Sequence, residues 1–247
     1  MQILSLEDLK KRLEQRQAVL NAPQPEATIW RYYSLEKFLD LIASRSLFFS
    51  CVTRFEDPCE GDYGESAKRR IREQYGDGQY LRDFNTYDFL RGHTYVSCWY
   101  EADHESDAMW KLYGNGIAAK AEFGKIQQLL TWSETEVKQA GRVNYIDYEA
   151  GHVDVDASYL PYFFKRQAFA HEREVRFLIQ EHRDDWNEYP ESRDGKIVAA
   201  DLNACFSEFV LSPTMAPYIC SAVEWFVGQA GLTVPMRRSA LLNRPVW

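Results

Sequence analysis

Residues Tyr159–Gln180 read YLPYFFKRQAFAHEREVRFLIQ, and the fold turns on how this stretch is read. Pro161 suits the first turn of a short helix, where an amide proton would find no partner in any case. Aromatic and basic side chains then mix through Tyr162, Phe163, Phe164, Lys165, Arg166 and Phe169. From His171 the pattern becomes strict alternation. A strand here puts Arg173, Val175, Phe177 and Ile179 on one face and Glu172, Glu174, Arg176 and Leu178 on the other. Val175, Phe177 and Ile179 mark the first face as the buried one. Two carboxylates and a guanidinium are therefore expected side by side on the opposite surface. Close like charges push pKa values apart, which suits general acid/base or hydrogen-bonding roles on a rigid mount. A solvated strand face with a Glu–Arg pair would show the same pattern.

On the N-terminal side, residues 1–27 read as an amphipathic helix, with Leu6, Leu9, Leu13 and Leu20 as its stripe, and a Pro-containing linker. TIWRYYS is a short strand carrying Arg31 among Trp30, Tyr32 and Tyr33. Leu35, Phe38, Leu39 and Ile42 then follow helical spacing behind Ser34, and LFFSCV returns as a strand. Arg31 is either stacked on its aromatic neighbours at a sheet edge or an anion clamp, because a guanidinium presents a fork of donors to phosphate or carboxylate. The acidic loop Thr53–Glu65 contains Glu56, Asp57, Glu60 and Asp62, which can gather a hard cation or pair with the basic helix expected over Ser66–Tyr75. Gly76–Arg91 is weakly patterned.

HTYVSCWYE is apolar or aromatic on both faces and reads as a central strand with Ser97 inside it. Further strands are expected over 117–123, 142–148, 197–202 and 208–211. Helices are expected over 105–113 and 125–132 and after Pro217, the last ended by Gly231. Helices interrupt strands without a regular βαβ rhythm, so the fold class is α+β. The expectation is a single domain over 28–247, with a curved mixed sheet flanked by helices, plus the N-terminal helix.

The chain has 247 residues, 45% of them hydrophobic and 15% aromatic, which is ample for a packed core. A formal charge of -8 argues against non-specific coating of DNA, which needs a basic surface. Cys51, Cys59, Cys98, Cys205 and Cys220 are odd in number and show no C-x-x-C, as expected of reduced thiols in a cytoplasmic protein. No membrane span and no secretory leader are read from the sequence. H-E-x-x-H, G-x-S-x-G, a P-loop and zinc spacing are all missing. Gly114 and Gly116 lack the third glycine of a dinucleotide fingerprint.

The segments WRYYSLEKFLDLIASRSLFFS, RFEDPCEG, SCWYEADHESDAMWKLYGNGIAA, VNYIDY, FFKRQAFAHEREVRF and FVLSP occur in an order that resembles the bacterial domain of unknown function 2971 family. The resemblance runs from about Trp30 to Ser239. Cys59 and Tyr100 depart from the residues usual in that pattern. That family carries no established activity across. A fold-level analogy reaches further: Arg31, then Ser97, then Glu172-Arg173-Glu174 resembles the Arg…Ser…Glu-x-Glu order of ADP-ribosyltransferases. That resemblance implies NAD as co-substrate, held by Arg31 and Ser97, with Glu174 on a ribose hydroxyl and Glu172 aligning the acceptor. Tyr33, Trp99, Trp110 and Tyr113 are the rings expected to stack on it.

Three functions follow as expectations. The first is ADP-ribosyl transfer or NAD hydrolysis, in a phage-defence effector or toxin acting on a protein or nucleic-acid acceptor. The second is a non-enzymatic module in which Arg31 and Arg176 clamp a nucleotide-like molecule or a partner's carboxylate. The third is a metal-dependent nuclease or phosphodiesterase using Glu56, Asp57, Glu60, Glu172 and Glu174. For the first two readings no metal is expected.

Overall fold

The computed structural model describes residues 20–57, 59–62, 68–69, 72–73, 76–148, 157–183 and 186–243. In chain order the elements begin with β1 (Thr28–Tyr33), α1 (Leu35–Ser44), β2 (Ser46–Cys51), α2 (Asp77–Arg91) and β3 (Thr94–Glu101). Next come α3 (Asp107–Tyr113), β4 (Ile117–Glu122), α4 (Phe123–Gln127), β5 (Glu136–Arg142) and β6 (Asn144–Ile146). The chain continues through β7 (Phe164–Arg166), β8 (Glu174–Glu181), β9 (Gly195–Ala199) and α5 (Leu202–Cys205). It closes with β10 (Phe206–Leu211), α6 (Pro217–Gln229) and β11 (Met236–Arg238). The class is α+β. Among the described residues a mixed, open sheet of nine strands runs β11-β10-β4-β1-β3-β2-β9, with β8 on β3 and β5 on β8, and β6 and β7 form a separate parallel pair. No described helix is long and apolar enough to cross a membrane. All five cysteines are free.

Contacts gather the chain into two compact units, each discontinuous in sequence. One unit comprises 20–23, Phe49–Ser97 and Trp132–Lys196, as far as these are described. Its centre is β8, which pairs antiparallel with β5 along its whole length, from Arg142↔Val175 to Glu136↔Glu181. β3 lies on its other side. Every residue of β8 is buried as a result. The open charged face expected from the alternation is therefore covered: Glu174 is 5% exposed and Arg176 0%. The alternating pattern of polar residues is real, but its polar side packs inward, satisfied by partners that the local sequence does not reveal.

The other unit comprises Gln24–Phe48, Cys98–Thr131 and 197–243. β4 pairs antiparallel with β1 and β10, and β10 runs parallel to β11. Trp30, Tyr32, Met109, Trp110, Ala118 and Val210 form one buried cluster here, pinned by Trp30 Nε1 donating to Ala102 O at 2.9 Å. α1 buries Phe38, Leu41 and Ile42 and stops where Arg45 turns left-handed and its N–H bonds Leu41 O. α6 starts on Pro217, buries Cys220, Val223 and Val227, and is followed by Gly231 at φ 68°.

Several expectations shift. The weakly patterned stretch Gly76–Arg91 carries the helix α2, Asp77–Arg91, with Gly76 at its N-cap. β5 was not read from the sequence, because EVKQAGR has one large aliphatic residue and takes its order from β8. The expected strand 142–148 shrinks to β6, and the expected helix 125–132 becomes the short α4. The N-terminal helix over residues 1–20 lies outside the described residues apart from Leu20. Of the basic helix over Ser66–Tyr75, Lys68, Arg69, Arg72 and Glu73 are described, and all are helical.

Candidate functional site

The central stretch builds the site by changing conformation twice. Leu160–Phe163 is a 3-10 turn with Pro161 in its first positions, β7 follows, and Gln167–Glu172 forms a second 3-10 turn. Arg173 then adopts φ 41°, and β8 begins only at Glu174. Glu172 and Glu174 are thus not neighbours on one strand face, as the alternation suggested. They converge on one ammonium instead: Lys165 Nζ lies 2.6 Å from Glu172 Oε2, 3.4 Å from Glu174 Oε2 and 3.8 Å from Glu60 Oε1.

Arg176 is the hub beneath. Its Nε and Nη2 bond the two oxygens of Glu174 at 2.7 and 3.0 Å, and Nη2 also reaches Glu60. Nη1 donates to Tyr162 O at 2.5 Å, and the Phe55 ring lies 5.3 Å from the guanidinium carbon. Burial pulls the Arg176 pKa down to about 9, against which the Asp57 charge works to raise it, so the group stays a cation at neutral pH. A buried charge is tolerated when paired and hydrogen-bonded, and here both conditions hold.

The acidic loop supplies the rest. Asp57 Oδ1 accepts from Cys59 N at 3.0 Å, and Glu60 N donates to Asp57 O at 3.0 Å, which curls the chain so that Glu60 faces inward. Gly61 follows at φ 78°, and a Cβ there would stand 2.4 Å from the Tyr162 ring. Asp57 also receives Arg166 at 3.0 and 3.2 Å, and Asp62 receives Lys68 at 2.8 Å. The local self-neutralisation of acidic loop and basic helix is seen in that last pair. Glu56 is exposed. Among the described residues, no group of three or more His, Cys, Asp or Glu is arranged to hold a metal ion.

Sequence reasoning missed Tyr145. In the β6–β7 pair it stands opposite Lys165, and its hydroxyl accepts the Glu174 N–H at 2.8 Å. Burial raises its pKa, and the Glu174 and Glu172 charges add to that, so it stays a neutral phenol. The sequence places Glu60 among candidate cation ligands and Lys165 in a basic run, without joining the two. Their partner is set by a turn whose geometry has no periodic signature.

The other expected site residues sit elsewhere in the fold. Ser97 lies in the same unit as Glu174, 0% exposed within β3. Arg31, Tyr33, Trp110 and Tyr113 belong to the other unit. Arg31 donates to Phe48 O at 2.8 Å, with its guanidinium carbon 5.1 Å from the Tyr33 ring and 5.8 Å from the Trp99 ring. The aromatic stacking expected of Arg31 is present, but β1 is an interior strand and not a sheet edge. Trp110 is core, its Nε1 bonded to Glu105 Oε2 at 2.9 Å and its ring edge-on to Tyr32. Tyr113 is exposed and stacks on Tyr32 at 5.9 Å.

Among the described residues, Asp57, Glu60, Glu172 and Glu174 therefore meet Lys165, Arg166 and Arg176 around the Lys165 ammonium and the Arg176 guanidinium. Glu172 is the carboxylate at the open end, its side chain 24% exposed against 5% for Glu174. Among the described residues Glu172 bonds Lys165 through Oε2, and its Oε1 takes no hydrogen bond. No protein-family model matches the chain, and no curated protein matches it.

Proposed function

We propose that the protein is an NAD-using enzyme that breaks the nicotinamide–ribose bond, with Glu172 as the carboxylate that meets the ribose. The observation that carries this reading is Glu172 itself, the most exposed carboxylate of the cluster, anchored by Lys165 through Oε2 and with Oε1 free of hydrogen bonds among the described residues. Loss of nicotinamide leaves an oxocarbenium-like ribose, so charge develops as a cation in the transition state. A carboxylate that hydrogen-bonds the neighbouring ribose hydroxyl strengthens its hold at that moment. In the step itself the ribose C1–N bond breaks and its electron pair leaves on nicotinamide. Water or an acceptor nucleophile bonds C1, and Glu172 takes the released proton. Glu174 and Arg176 act as the frame that holds Lys165, and Lys165 fixes the position of Glu172 through their 2.6 Å contact. Consumption of NAD suits a phage-defence effector or a toxin.

Incubation of the purified protein with NAD tests this. Nicotinamide release is expected, falling by about 100-fold or more in Glu172→Gln, the range general acid–base groups supply. No release from the wild type, or release undiminished in Glu172→Gln, refutes it.

A second reading, a nucleotide- or partner-binding module without turnover, is favoured by the way Glu174 and Arg176 occupy each other. It predicts that ADP-ribose raises the melting temperature while NAD remains intact.

A further inference from the structure

Three described non-glycine residues adopt positive φ: Asn21, Arg45 and Arg173. Two of them have a local reason for their side chain. Asn21 Oδ1 accepts from Arg142 Nη1 at 3.3 Å, and Arg45 Nη2 donates to Ala230 O. Arg173 has no such reason. Its backbone N–H closes the 3-10 turn on Ala170 O at 3.3 Å, a capping position where glycine is the usual residue. Its side chain is exposed, and among the described residues it makes no hydrogen bond or ion pair. The cations next to it in the site differ: Lys165, Arg166 and Arg176 are all held by carboxylates. A strained backbone, kept at the junction of Glu172 and Glu174 and bearing an uncommitted guanidinium, is the pattern of a residue retained for a ligand.

We propose that Arg173 is a ligand-binding residue that takes the diphosphate of the nucleotide. This rests on the ribosyl-transfer reading above and deepens it. A guanidinium offers paired donors to phosphate oxygens, and it remains charged at any working pH. A diphosphate held there would leave the adjoining ribose to be met by Glu172, one residue away in the chain. The ligand class is then a diphosphate-bridged nucleotide, with its anionic centre at Arg173 and its developing cation at Glu172.

Arg173→Gly separates the two duties of the position, because glycine fits the left-handed backbone and lacks the charge. Calorimetric titration with inorganic pyrophosphate and with ADP-ribose is compared between wild type, Arg173→Gly and Arg173→Gln, alongside melting temperatures and NAD turnover. The expected result is binding by the wild type, at least about tenfold weaker in both variants, with Arg173→Gly melting higher than wild type. Equal affinity in the variants, or binding of neither probe by the wild type, overturns the proposal. ADP-ribose binding that depends on Arg173, with NAD left uncleaved, supports the proposal while the catalytic reading falls. NAD cleavage with an unchanged KM in Arg173→Gly overturns the proposal while the catalytic reading stands.

Discussion

Replacing Arg176 by Met would remove the only fully buried guanidinium in the cluster and leave its carboxylates behind. Glu174 is 5% exposed and Glu60 6%, so neither can turn to water for compensation. Lys165 alone would then face Glu60, Glu172 and Glu174 at 3.8, 2.6 and 3.4 Å. Breaking a buried pair by deleting one partner costs about 3–5 kcal/mol, because the remaining charge is stranded. At about 2–4 °C per kcal/mol for a chain of this size, a fall in melting temperature on the order of 6–20 °C is expected. The loss of Tyr162 O's partner works in the same direction. Removing the buried carboxylates together with the guanidinium should behave differently. The triple variant Arg176→Met, Glu174→Leu, Glu60→Leu still costs Tyr162 O its donor but strands neither buried carboxylate and leaves Lys165 paired with Glu172, and apolar replacements of buried ion pairs are often neutral or stabilising by about 1–4 kcal/mol. Scanning calorimetry and urea titration of wild type, single and triple variants read both effects. A single variant within about 0.5 kcal/mol of wild type, on the scale of ordinary surface substitutions, would refute the claim that Arg176 is the desolvated hub. So would a triple variant less stable than the single one.

Gly61→Ala should destabilise the first unit by about 1–3 kcal/mol, the range for a non-glycine residue forced to positive φ, and the 2.4 Å approach to the Tyr162 ring adds to it. Urea midpoints check this, and an unchanged midpoint would contradict the close approach. Acid should weaken the same unit through Glu136. Burial raises the pKa of Glu136, but hydrogen bonds from Lys196 and Lys138 outweigh that, and the net shift is downward from 4.5. A lowered carboxylate pKa contributes stability that is full above the unfolded value and is lost as pH falls through the folded one. The loss therefore falls below about pH 4.5, the unfolded value, and Lys196→Met should flatten the stability curve there, as read by urea titration from pH 6 to 3.

How much of this was legible beforehand differs by element. β3 and β10 announce themselves by apolar content, and α1 and α6 by helical spacing with Ser34 and Pro217 at their starts. α2 does not, because DGQYLRDFNTYDFLR shows no amphipathic stripe that periodicity could detect. β5 does not either, since its order is borrowed from β8 across the ladder. Glu172, Glu174 and Arg176 stand out by their alternation with apolar residues, which reads as an open charged strand face; the structure instead buries Glu174 and Arg176 within β8 and leaves Glu172 in the turn before it. The identity of their partners was hidden. Glu60 lies 116 residues from Arg176 in the chain, and its inward turn depends on Asp57, Cys59 and Gly61 acting together.

Composition, the apolar runs and the capping residues determined on their own that this chain builds an α+β core, because burial and backbone bonding are largely local in their demands. The alternation at 171–180 likewise determined that a strand would carry charged residues. Whether those charges meet water or one another was decided only when β5 and β3 covered β8 and the 57–62 loop closed over Tyr162. Electrostatic partners are chosen by distance in space, and a turn at Arg173 or a glycine at 61 changes that distance without leaving a periodic mark in the sequence.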